Sequence, residues 1–189
     1  MRILKRGALC GALLALVITA LLTVGGASTA FAASGGSAQD CTPWTAGSGA
    51  GAGAMHIQCT YHNAVEVVDD VIPCGPYAGA PATITITYNG QLHATQLTAG
   101  KGAGTFWVTG TQTGTFSAIP TDTTLPTYTG HTTSWFGDNN NLRNGSETST
   151  FSVHAVGSDG SSFTFHEVAH YSVSASGITT SFDKPVCSA

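Results

Sequence analysis

The sequence predicts an all-β fold: a single antiparallel meander of about eight strands closed into a β-barrel, with an open β-sandwich as the alternative. Three observations carry this. Side chains of contrasting character alternate with period two through most of residues 82–183. Successive strand residues point to opposite faces, so such a run buries one face and wets the other. Helical patterning, with apolar residues recurring at i, i+3 and i+4, is absent. Turn signals rich in glycine separate the runs, so that consecutive strands form sequential hairpins. Full closure would remove the exposed edges of such a meander.

Residues 1–32 read as an address. Arg2, Lys5 and Arg6 form a basic region, an apolar stretch follows over 8–24, and Ala30-Phe31-Ala32 is a small-residue cleavage site. This is the pattern of a secretory signal peptide, and it is excluded from the fold. The apolar run is short for a membrane span. Gly7-Ala8-Leu9 before Cys10 is a poor lipobox. Removing 32 of 189 residues leaves 157, enough for one domain with a core. Three of the six Lys+Arg residues leave with the leader, so Lys101, Arg143 and Lys184 face ten Asp+Glu, a net charge of 3 − 10 = −7. Three scattered cations cannot neutralise a phosphate backbone or hold an anionic bilayer, which argues against nucleic acid and membrane surfaces as partners. The expected location is extracellular.

Four cysteines remain after cleavage: Cys41, Cys59, Cys74 and Cys187. An even number in an exported chain implies disulfides, and three pairings are open. Cys41–Cys59 with Cys74–Cys187 is favoured, because the first closes a Gly/Ala-rich loop and the second ties the start of the sheet to its end. No C-x-x-C pair supports zinc.

The elements follow in order. Residues 33–54 are a Gly/Ala/Ser-rich flexible lead-in, interrupted by Cys41-Thr-Pro-Trp44 and open to local stapling. The β-barrel domain is assigned to 55–189, with short strands over 55–61 and 64–72 and a turn-rich connection over 74–81. Asn89-Gly90 is a hairpin signal, yet Ile84, Ile86, Tyr88, Leu92 and Ala94 keep one parity across it. Residues 82–97 are therefore one strand with a kink or bulge at Gly90. The strand 105–119 returns after a glycine-rich turn; Phe106, Val108, Gln112 and Phe116 lie on one face, and Trp107 with a row of threonines on the other. A strand over 127–136 and a polar loop over 137–145 come next. Ser158-Asp159-Gly160 suits a three-residue hairpin loop with Gly160 left-handed, pairing Ala155 with Phe163 and Val153 with Phe165. A last strand over 178–183 leads to Cys187.

Trp135-Phe136-Gly137 with Asn141, Ser158-Asp-Gly-Ser161, Phe165-His-Glu-Val-Ala-His170 and Phe182-Asp-Lys184 together resemble a family of uncharacterised secreted proteins of actinobacteria and related bacteria. The resemblance spans roughly 82–187. It implies export and a compact β domain, and it brings neither an activity nor site residues.

His166-Glu167-Val168-Ala169-His170 matches H-E-x-x-H, in which two histidines one helical turn apart bind zinc. On a strand, residues four apart are about 13 Å apart, too far to share an ion. The flanks are β-formers and no third ligand follows at the required spacing, so the match is read as false. His154 and His166 fall on one diagonal of the predicted hairpin and would need a third group to hold a metal. Asp138-Asn139-Asn140-Asn141 opens like a calcium loop, but Leu142 and Arg143 break the pattern. The threonine arrays are ordinary for an exposed strand face, although flat ones can order water. No cofactor is implied.

Parity places Glu167 on the apolar face with Phe165, Ala169 and Tyr171, and turns Gln112 and Tyr88 inward as well. A buried carboxylate is costly unless paired or protonated. Glu167, Tyr171, Gln112 and Tyr88 are thus the candidate binding residues, polar anchors in an apolar barrel. The leading expectation is a secreted, non-enzymatic barrel that binds a small or apolar ligand. The alternatives are a cyclase- or isomerase-like enzyme using Glu167 as acid/base, and a structural extracellular domain with a filled core.

Overall fold

The computed structural model describes residues 38–47, 53–141 and 143–188, and over these the chain forms a nine-stranded antiparallel sheet. The strands are β1 (Ala38–Cys41), β2 (Thr45–Ala46), β3 (Ala54–Val71), β4 (Pro81–Leu97), β5 (Phe106–Pro120), β6 (Tyr128–Asn140), β7 (Gly145–Gly157), β8 (Ser162–Val173) and β9 (Thr179–Ser188). From β3 onward each pairs with its successor, while β1 and β2 both add to the outer edge of β3. The leader expected over 1–32 lies outside the described residues.

The hairpin reading holds in detail. β7 and β8 pair Ala155 with Phe163 and Val153 with Phe165, and Gly160 adopts a φ of 84°. β4 runs unbroken through Asn89-Gly90, because a two-residue turn there would have put Thr83 and Thr85 on the face of Leu92. Other boundaries move. The two short strands expected at 55–72 are one strand, β3, with a bulge between Tyr61 and Ala64 where Asn63 has a φ of 51°. Residues 137–140 and 145 of the polar loop expected over 137–145 belong to strands instead, since Asp138 and Asn139 continue the ladder against Glu147 and Ser146. Part of the flexible lead-in is ordered: residues 38–41 and 45–46 are strands, and the Cys41–Cys59 disulfide joins residues paired in the ladder.

The sheet curls without closing. Strands sit about 4.8 Å apart, so β5 and β8 would be roughly 14 Å apart in a flat sheet. Phe116 of β5 and Phe163 of β8 nevertheless meet edge-to-face with ring centroids 6.2 Å apart. Glycines permit the bend. A Cβ on Gly114 would lie 2.7 Å from Tyr88 Cα, and one on Gly130 would lie 2.7 Å from Ala155 Cα, so neither strand could approach its neighbour this closely with a side chain there.

The closed barrel is the expectation the structure corrects. Among the described residues, β9 pairs with β8 alone, and β3 carries only β1 and β2 on its other edge. Pro185 lacks an N–H for a further ladder, and Lys184 beside it is a charge that discourages edge pairing. The second disulfide, Cys74–Cys187, ties the β3–β4 connection to β9 where ladder hydrogen bonds would have closed a barrel. The concave face holds two apolar clusters. The larger gathers Ile72, Ile84, Ile86, Phe116, Tyr128 and Phe163 with the β3–β4 connection folded across one end. The smaller gathers Cys59, Leu92, Ala94, Val108 and Phe136, with Trp44 packed against it.

Candidate functional site

The four residues expected to line a pocket all come from strand positions of inward parity, but they do not gather. Gln112, Ser134, Phe151 and Glu167 occupy one cross-strand row of the concave face. Gln112 Oε1 accepts a hydrogen bond from Ser134 Oγ at 3.1 Å. Glu167 is 4% exposed, between Phe151 and Pro185. Tyr88 is buried one row away and donates its hydroxyl hydrogen to Glu66 Oε1 at 3.0 Å. Tyr171 shares Glu167's face yet is 46% exposed, because the open sheet leaves that part of the concave side uncovered.

Sequence reasoning missed Glu66. The bulge at Asn63 resets the parity of β3, and only the pairing of Ala64 with Tyr88 shows which face Glu66 joins. Burial pushes its carboxyl up, partly offset by the Tyr88 hydroxyl. Burial and the neighbouring Glu66 charge push the Tyr88 phenol up as well.

A second acidic pair lies toward the other end of the concave face. Asp138 on β6 opposes Glu147 on β7. Burial raises both carboxyls above their ordinary range; the Asp138 charge raises Glu147 further, and the Asn139 N–H partly offsets the rise at Asp138. An acid whose pKa is raised on folding costs stability as pH climbs above its unfolded value, and the cost stops growing above the folded value. Glu147→Gln is therefore expected to raise the melting temperature at pH 7. The gain should vanish below about pH 4.5, the ordinary glutamate value. Melts of both proteins across that range measure it; a variant less stable than its parent at pH 7 would show a favourable native partner for the carboxylate.

His166-Glu167-Val168-Ala169-His170 lies on β8, with its histidines on the outer face and Glu167 on the inner. His166 Nδ1 is 2.7 Å from Ser152 Oγ, and His170 Nδ1 is 2.8 Å from Thr148 Oγ1. Each imidazole is thus held by a cross-strand hydroxyl. Among the described residues no three His, Cys, Asp or Glu side chains form a set that could hold a metal ion.

The outer face carries a feature that residue patterning alone did not single out. A cavity of about 300 Å³ opens there, lined by Gln58, Gln91, Leu92, His93, Thr109, Gly110, Thr111 and Trp135. The ladder places them. Gln58, His93, Thr109 and Gly137 form one cross-strand row, and Gln91, Thr111 and Trp135 form the next. Trp135 and Gly137 share a face of β6, and a Cβ on Gly137 would sit 3.1 Å from the far edge of the indole. The far edge of the indole thus lies beside the glycine, and Trp135 remains 40% exposed. The opposite wall is braced. His93 stacks on His56 with centroids 5.9 Å apart, and His56 Nδ1 is 2.9 Å from the buried Thr95 Oγ1. Gln58 is pinned by backbone: its N–H donates to Thr42 Oγ1 at 3.1 Å, and its carbonyl accepts from the Thr42 N–H at 2.9 Å. The Cys41–Cys59 disulfide thus braces the cavity wall next to Gln58. The available signal was Trp135 itself, a large aromatic at an outward position of a threonine-rich surface.

Fold and site together define an all-β, disulfide-stapled, single-sheet domain with a shallow polar-aromatic cavity on its outer face. No family model, curated protein or solved structure matches the chain.

Proposed function

We propose that the protein is exported, loses residues 1–32, and serves outside the cell as a non-enzymatic binding domain whose small-molecule ligand sits against Trp135 on the outer face. The observation that carries this reading is the half-exposed indole of Trp135 at the wall of the cavity, with its far edge beside Gly137. A rigid ring with an open face offers large contact area at little entropic cost. Export is supported by the leader pattern and by two disulfides, which persist in oxidising compartments.

Binding is favoured over catalysis by the lining. His93 is the one titratable side chain among the cavity residues, so a second acid or base for general acid–base chemistry is lacking there. On the concave side, Tyr88 and Gln112 already pair with Glu66 and Ser134. In the proposed reading these groups knit the fold, and the ligand is taken outside.

Thermal-shift screening of the mature protein against neutral, anionic and cationic small molecules tests this. A ligand at a hundred times its Kd stabilises by about 2.7 kcal/mol, an easily read rise. Every such rise is expected to disappear in Trp135→Ala, whose own stability should fall by about 1 kcal/mol or less as an exposed substitution. If the rise survives that change and is lost in Tyr88→Phe or Glu167→Gln, the ligand lies on the concave side and the proposal fails.

A further inference from the structure

We infer that the outer-face cavity takes an uncharged saccharide, with a pyranose ring stacked on Trp135 and its rim hydroxyls held by Gln58, Gln91 and His93. The inference rests on the proposed binding role of that cavity and names its ligand class.

The lining chemistry selects among ligands. The cavity residues include no carboxylate, lysine or arginine. An anion would meet no cationic partner there, which disfavours phosphates and uronates, and a cation would meet no carboxylate and only the Trp135 ring. A wholly apolar ligand is equally mismatched, because it would strip water from two carboxamides, an imidazole and two threonine hydroxyls without replacing those hydrogen bonds. What remains is a neutral molecule with one apolar face and a polar rim.

A pyranose has that shape. Its ring C–H bonds carry small positive charge and suit the negative face of an indole. Its hydroxyls both donate and accept, and a carboxamide also offers both, so Gln58 and Gln91 can each serve a hydroxyl in either sense. His93 adds one donor and one acceptor in its neutral form. The register sets these groups side by side. Gln58 and His93 are direct cross-strand partners, and Thr111 separates Gln91 from Trp135 in the adjacent row. Neighbouring strands are about 4.8 Å apart, so Gln91 on β4 and Trp135 on β6 stand roughly 10 Å apart. That gap accommodates one stacked sugar and the hydroxyls along its rim. At about 300 Å³ the cavity is at the small end of ligand sites, and it opens to solvent, which leaves room for a chain to continue beyond the bound unit.

The test titrates the mature, disulfide-intact protein with cellobiose, maltose, lactose and N,N′-diacetylchitobiose. A hyaluronan disaccharide, adenosine and 1-octanol serve as charged, planar heterocyclic and apolar comparators. Indole fluorescence and saturation-transfer NMR read the binding. At least one neutral disaccharide is expected to saturate, with affinity falling about tenfold or more in Trp135→Ala and roughly fivefold in Gln91→Ala. Phe182→Ala, on β9 and three strands away, should leave affinity unchanged. If no neutral disaccharide binds while a comparator does so in a Trp135-dependent way, the saccharide assignment is overturned and the binding role of the cavity stands. Saccharide binding indifferent to both Trp135→Ala and Gln91→Ala overturns the cavity itself, as does failure of every probe to bind.

Discussion

Cys74→Ser is expected to cost about 5 kcal/mol and Cys41→Ser no more than about 3 kcal/mol, from the chain-entropy cost of opening loops of 113 and 18 residues. The structure sharpens the contrast. Cys74 is fully buried in the larger apolar cluster, so a serine there also places a hydroxyl among apolar neighbours. Its bond to Cys187 is the covalent tie between the β3–β4 connection and β9, a strand whose ten residues are all exposed. Losing it frees one edge of the sheet and uncovers the end of the core. Cys41 holds only the four-residue β1 against β3, which can fray while the rest stays folded. Chemical denaturation of both variants, with peptide mapping of the remaining bond, checks the order. Equal losses would show that the long-range disulfide does not stabilise the fold as a tie between the sheet ends.

Phe163→Ala is expected to destabilise by about 4 kcal/mol, within the range for emptying a fully buried aromatic site. Phe163 is 1% exposed and contacts two curled-over rings, Phe116 at 6.2 Å and Tyr128 at 5.1 Å between centroids. It also supports the connection at Gly75, where an added Cβ would lie 3.4 Å from Phe163 Cβ. The same segment carries Cys74, so the two substitutions share a structural element. Their combined loss should depart from additivity by more than about 0.5 kcal/mol, the usual limit for independent sites. A full double-mutant cycle by denaturant titration measures this. A cost near 1 kcal/mol for Phe163→Ala would mean that the larger cluster is held mainly by the strands and not by the ring that bridges them.

How much could be read before folding depends on the range of the interaction involved. The β7–β8 register was legible to the residue, since it follows from a short turn whose chemistry lies within ten residues of the paired side chains. The unbroken β4 was legible because parity on both sides of Gly90 outweighed the local turn signal. The parity rule also placed Glu167 inward, where it is 4% exposed. It misjudged Tyr171, which lies on the inner face and is nonetheless 46% exposed. Parity names a face; whether anything covers that face is decided by the strands opposite.

The sequence by itself determined the all-β class, the order of the hairpins, the inward and outward faces of β4, β5, β7 and β8 and the favoured cysteine pairing, since these rest on side-chain alternation, turn chemistry and chain connectivity. The tertiary structure decided three things. It left the sheet open, because closure needs β9 to meet β3 in ladder register, and the chain ties those edges with a disulfide and the β3–β4 connection instead. It joined Glu66 to Tyr88, because a bulge at Asn63 resets the parity beyond it. It also made the outer-face cavity, because Gln58, Gln91, His93 and Trp135 come from strands β3, β4 and β6, and their convergence exists only once the ladder is registered and curved. Alternation acts within a strand and survives in any fold that keeps the strand. A site assembled across strands depends on contacts between residues up to 77 positions apart, as from Gln58 to Trp135, and no local pattern encodes those distances.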